Sequence, residues 1–166
     1  LLDSGRWSQS QRVAQDDWQI AGCPVNGPSV ASSNKTIGVA WYTEAKGFGE
    51  IKFALSNEDT VQFKSPIIID QGTHVMGQIG LAADNDRGFL VSWVTSDGGD
   101  SGGLNLRYID HQGGLGPINR VTDVDLLHQV GLPQLALEGN VAVMAWTEGD
   151  KNMTRVHVKT LDLSGS

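Results

Sequence analysis

The chain has 166 residues, of which 39% are apolar and 19% charged, and it carries a formal net charge of −7. A surface of that sign repels phosphate backbones and anionic lipid, so nucleic acid and membrane surfaces are not expected partners. No stretch approaches the roughly 20 apolar residues of a membrane span, and 21 glycines against 5 prolines favour short strands and tight turns over helices.

Residues 1–17 lack a charged-then-apolar layout and do not read as a signal peptide. The one cysteine, Cys23, cannot form an internal disulfide and leaves the redox compartment open. Within this opening stretch, 7–14 (WSQSQRVA) reads like 115–122 (LGPINRVT) further on. The pair predicts that 7–16 is an orphan fourth strand, separate from the units that follow.

Three matching segments then recur: 37–44 (IGVAWYTE), 89–96 (FLVSWVTS) and 142–148 (AVMAWTE), which place Trp41, Trp93 and Trp146 at spacings of 52 and 53. Periods near 40 to 50 residues belong to propeller blades, each a four-stranded sheet. Before each tryptophan strand comes a turn rich in Asn, Asp or Gly: 32–35, 84–88 and 138–140. Such residues tolerate the positive φ that hairpins need. A third, alternating strand follows at 50–56, 104–109 and 154–161, and a fourth at 66–69 and 118–122. The predicted units run over about 24–70, 77–123 and 131–163 of a single domain, 1–166.

In the first tryptophan strand, Ile37, Val39 and Trp41 oppose the small Gly38 and Ala40. In the second, Phe89, Val91 and Trp93 oppose Leu90 and Ser92. With no charge on either side, both faces should be covered, the large side chains of one sheet meeting the small ones of the next. A two-layer sandwich would show an outward polar face instead. The expected fold is therefore all-β, a β-propeller with about three four-stranded blades per chain, half of a six-bladed ring. Burial of all three tryptophans at equivalent places belongs to that expectation. Closure would come from missing upstream blades or from a homodimer in which 7–16 completes the third unit of a partner.

Several stretches resemble the sialidase-like β-propeller superfamily, whose blades often carry BNR (Asp-box) repeats. They are 17–28 (DWQIAGCPVNGP), 77–82 (GQIGLA) and 130–136 (VGLPQLA), together reaching nearly the whole chain. The first is similar to a stretch in exported bacterial proteins of the exo-α-sialidase-like type. The resemblance places the chain in the C-terminal half of such a protein and implies a periplasmic or extracellular location. Residues 56–63 (SNEDTVQF) keep only the opening Ser and the closing aromatic of an Asp box.

A sialidase site implies three arginines for the substrate carboxylate, a tyrosine nucleophile with a carboxylate partner, and an acid/base. The candidates in this chain are the neighbours Arg107 and Tyr108, and the arginine-isoleucine-proline motif of the family is missing. The expected function is thus a non-catalytic propeller module for ligand or partner binding or for self-assembly, with a glycan as one possible ligand. The alternative is an exo-sialidase-type glycoside hydrolase, active only with further blades.

Connections into the first strand of each unit carry Cys23, His74 with Met76, and His128. Thiolate, imidazole and thioether suit copper or zinc. The competing reading, a buried thiol and structural histidines, outweighs it. Residues 96–103 and 84–88 offer acidic oxygens to calcium, but neither carries a complete calcium loop. No cofactor is expected.

Overall fold

A computed structural model describes residues 7–20, 26–33, 36–57, 61–127, 132–149 and 153–164. Among them there are strands and no helix. The first sheet holds β1 (Ser29–Ser33), β2 (Thr36–Thr43), β3 (Gly49–Leu55) and β4 (Ile67–Gly72). The second holds β5 (Val75–Asp84), β6 (Gly88–Gly98), β7 (Ser101–Asp110) and β8 (Leu115–Asp125). The third holds β9 (Gln134–Glu138), β10 (Val141–Gly149) and β11 (Thr154–Asp162). Each sheet is an antiparallel meander in which strands adjacent in sequence are adjacent in space.

The turns are made by the side chains that begin them. Asp84 ends β5, and its carboxylate accepts the N–H groups of Asp86 (2.9 Å) and Arg87 (3.2 Å). Asp110 does the same between β7 and β8, accepting from Gln112 and Gly114. Such local bonds hold a turn that a hydrophobic side chain could not. Between β3 and β4 a bridge pairs Ser56 with Phe63, and the buried Ser56 hydroxyl accepts the Ile37 N–H at 2.9 Å. This is the stretch, 56–63, whose sequence is compared with an Asp box; residues 58–60 lie outside the described ones.

The sheets stack through alternating faces of their second strands. Phe89, Val91 and Trp93 of β6 join Ala40, Tyr42, Ile51, Phe53 and Ile69 of the first sheet in one core cluster. Leu90 and Val94, on the opposite face of β6, join Ala142, Met144 and Trp146 of β10 in another. The middle sheet is therefore covered on both sides. The large-on-small fit is literal at Gly38, where an added Cβ would lie 2.7 Å from the Phe53 and Phe89 rings. The first strands also neighbour one another, β1 against β5 and β5 against β9.

Two expectations need correction. Trp93 and Trp146 are buried, at 0% and 7% exposure, but Trp41 is only half-buried. Its face of the first sheet has no further sheet packed on it among the described residues. Residues 7–16 form no strand: they run as an irregular, mostly exposed segment, with Trp7 93% exposed. Strand pairing needs a partner edge, and among the described residues no strand offers one there.

Candidate functional site

Polar side chains stitch neighbouring sheets together. The Trp93 indole N–H donates to the Asp70 carboxylate on β4 at 2.9 Å. Trp41 repeats the arrangement with Asp16, which also accepts from Lys52. Lys52, Asn105 and His157 are the residues paired with the three tryptophans across the strands. The third copy departs from the pattern, because the Trp146 N–H donates to Glu148 at 2.9 Å and its ring stacks on His157. A second stitch uses cations on the third strands. Arg107 donates to the Ile69 carbonyl of the first sheet, and Lys159 to the Val121 carbonyl of the second.

That placement settles the geometry of the sequence candidates. Arg107 also donates to the Gly116 carbonyl (2.8 Å), so its guanidinium is engaged between sheets. Tyr108 points from the opposite face of β7 into a cleft of about 310 Å³ between the second and third sheets. This cleft is apolar, lined by Leu90, Leu106, Leu161 and Leu163, with Asp84 and Arg87 on its rim. Arg87 is a staple there, donating to Asp84 (2.7 Å), Asn140 (2.6 Å) and the Leu163 carbonyl (3.0 Å). Burial, then the Asp84 charge, push the Tyr108 phenol up from its usual range. Adjacent in sequence, Arg107 and Tyr108 do not form one site, because neighbouring residues of a strand face opposite ways.

The aromatic cleft of the molecule lies elsewhere, at the end of the first sheet. It measures about 520 Å³ and is lined by Trp18, Tyr42, Phe48, Glu44, Asn26 and Gln78, among others. Tyr42 lies one residue before the end of β2, and its hydroxyl donates to Glu44 two residues on. Trp18 meets the Tyr42 ring edge-on, at 5.7 Å between centroids. Asn26 braces the far wall, donating to the Met76 carbonyl (3.1 Å) and accepting from the Gln78 N–H (2.8 Å). Gly77 permits this: its φ is +87°, and a Cβ would sit 2.6 Å from the Asn26 amide. Gln78 itself holds φ at +56°, a conformation that costs a non-glycine residue free energy and concentrates at functional sites.

Burial, the hydrogen bond to Glu44 and the Glu44 charge, in that order, raise the Tyr42 phenol well above its usual value. It therefore stays protonated and serves as a donor, the reverse of an activated nucleophile. Among the described residues no arginine or lysine lines it. What remains is two or three aromatic surfaces, a carboxylate and side-chain amides, a set that suits an uncharged ligand with hydroxyl or amide groups.

Of the soft-donor residues, Cys23 and His128 lie outside the described residues. His74 approaches Asp70 at 3.4 Å, and Met76, 43% exposed, borders the aromatic cleft. Among the described residues no three His, Cys, Asp or Glu side chains gather in a metal-binding group. In the two acidic stretches, Asp84 serves its own turn and Arg87, and Asp97 pairs with Arg120 through two hydrogen bonds.

Sequence reasoning missed the aromatic cleft. Its residues are scattered over 18–78; Trp18, Ile20, Asn26 and Gln78 fall in the stretches 17–28 and 77–82 and Met76 was a metal candidate, but nothing in the sequence joined them to Tyr42 and Phe48. No protein-family model matches the chain, and no curated protein matches it.

Proposed function

We propose that this chain is a non-catalytic binding module of the sialidase-like β-propeller type, taking an uncharged polar ligand such as a neutral glycan in the aromatic cleft. Three consecutive meander sheets, stacked large face on small with their first strands side by side, support the propeller part. The exported location follows from the same resemblance. Among the described residues no helix is long and apolar enough to cross a membrane.

The observation that carries the binding part is the Tyr42–Glu44 pair beside Trp18, in a cleft with no lining cation among the described residues. Aromatic faces pack on the apolar faces of sugar rings, while the carboxylate and amides take their hydroxyls. A second reading rests on the same pair: an exo-sialidase-type hydrolase, with Tyr42 as nucleophile and Glu44 as its partner, once further blades supply arginines. The raised phenol and the engaged Arg107 weigh against it.

Titration of the protein with neutral oligosaccharides, followed by tryptophan fluorescence, tests the proposal. Saturable quenching should vanish in Trp18→Ala and weaken in Glu44→Gln. Release of a fluorophore from a sialic-acid glycoside, abolished by Tyr42→Phe, would establish the hydrolase instead. Absence of saturable binding to any neutral glycan would reject the binding assignment.

A further inference from the structure

We infer that the outer faces of the first and third sheets are docking surfaces for each other, in a second copy of this chain. The inference rests on the stacked-sheet part of the proposed function and is independent of the ligand.

The first argument is the position of Asp16. At the internal boundary, an aspartate on the fourth strand of the first sheet (Asp70) accepts from the tryptophan of the second (Trp93). Asp16 accepts from Trp41 in the same manner. The segment around it thus stands where the fourth strand of a preceding sheet would stand. Among the described residues the third sheet has three strands where the first two have four, and β11 pairs only with β10. A third sheet brought against the first would lay the open edge of β11 alongside residues 9–16. That would pair the two, and an open edge is a surface that proteins cover.

The second argument is the fit of the faces. Ala40 and Ser92 are the small residues that accept the bulky face of the next sheet, and Ala145 holds the same place in β10. Because Trp146 faces the second sheet, Ala145 and Thr147 face outward, paired with Val158 and Val156. Those valines are 63% and 73% exposed, and the centre of this face carries no charge. The outer face of the first sheet offers the complementary bulky set, Ile37, Val39 and Trp41, all half-buried. Two copies related by a twofold axis would make this join twice and leave no sheet face open.

Light scattering on the whole chain tests the inference. Wild type should have twice the chain mass. Val156→Lys with Val158→Lys should be monomeric, because lysines would be buried against Ile37, Val39 and Trp41. Leu115→Lys with Ile118→Lys, also exposed apolar positions but on β8, should remain dimeric. The near-ultraviolet dichroism of buried tryptophan should be native in all three proteins, which separates loss of docking from loss of fold. Amide exchange along β11 should be slow in wild type and fast in the valine variant. A monomeric wild type with native dichroism, or a dimer that survives the valine-to-lysine changes, would overturn the inference. Either result would leave the sheet stack and the aromatic cleft standing.

Discussion

Trp93 joins the first two sheets by both packing and a hydrogen bond. It is fully buried, and its N–H is bonded to the Asp70 carboxylate, whose side chain is 13% exposed. Trp93→Phe keeps an aromatic ring but removes the donor and part of the volume. A hydrogen bond to a charged group contributes about 1.5–3 kcal/mol. With the lost ring area the variant should be less stable by about 2–4 kcal/mol. At about 2–4 °C per kcal/mol for a chain of this size, the melting temperature should fall by roughly 5–15 °C. Volume and hydrogen bond are separated by a double-mutant cycle with Asp70→Ala, followed by urea unfolding at one fixed protein concentration. The coupling energy should be about 1–2 kcal/mol. The matching cycle between Trp41 and Asp16 should give less, because that pair is half-buried and Asp16 retains Lys52. A Trp93–Asp70 coupling within about 0.3 kcal/mol of zero would show that the bond does not join the sheets.

Two further tests probe polar groups at the other sheet boundary. Among the described residues the buried Ser92 hydroxyl has no hydrogen-bond partner, where the equivalent positions hold Ala40 and Ala145. Ser92→Ala should be neutral or raise stability by up to about 1 kcal/mol, read by thermal unfolding; a loss larger than that would reveal a partner. For Asp84, burial favours the protonated form, but the N–H groups of Asp86 and Arg87 and the Arg87 guanidinium outweigh it. The carboxyl therefore lies below its ordinary 3.8. A lowered folded value means stability that is fully present above the ordinary value and lost as pH falls through the folded one. Asp84→Asn should be less stable than wild type near neutrality. The gap between their melting temperatures should close between about pH 4 and pH 2. A gap constant across that range would exclude ionisation of Asp84 as its source.

The three sheets were legible in the sequence because their signals are local. A tryptophan strand returns at a fixed interval, alternation sets the faces of each strand, and Asp84 and Gly139 mark turns by their own chemistry. Even the meeting of large and small faces was readable, since Gly38 and Ala40 leave a hollow that only a bulky neighbour fills. The neighbours themselves were not readable. Arg107 and Tyr108 are consecutive, yet the stacking sends one to the first sheet and the other toward the third. The residue at 16 looked like part of a strand, yet its carboxylate caps a tryptophan 25 positions away. The aromatic cleft draws Trp18, Tyr42, Phe48 and Gln78 from four separate segments. A repeat determines what each sheet is, because the periodicity of a strand is a property of the strand. Which side chains meet across a boundary depends on how far two sheets are shifted and turned against each other. That is decided by the packing of both cores at once, and no single stretch of sequence carries it.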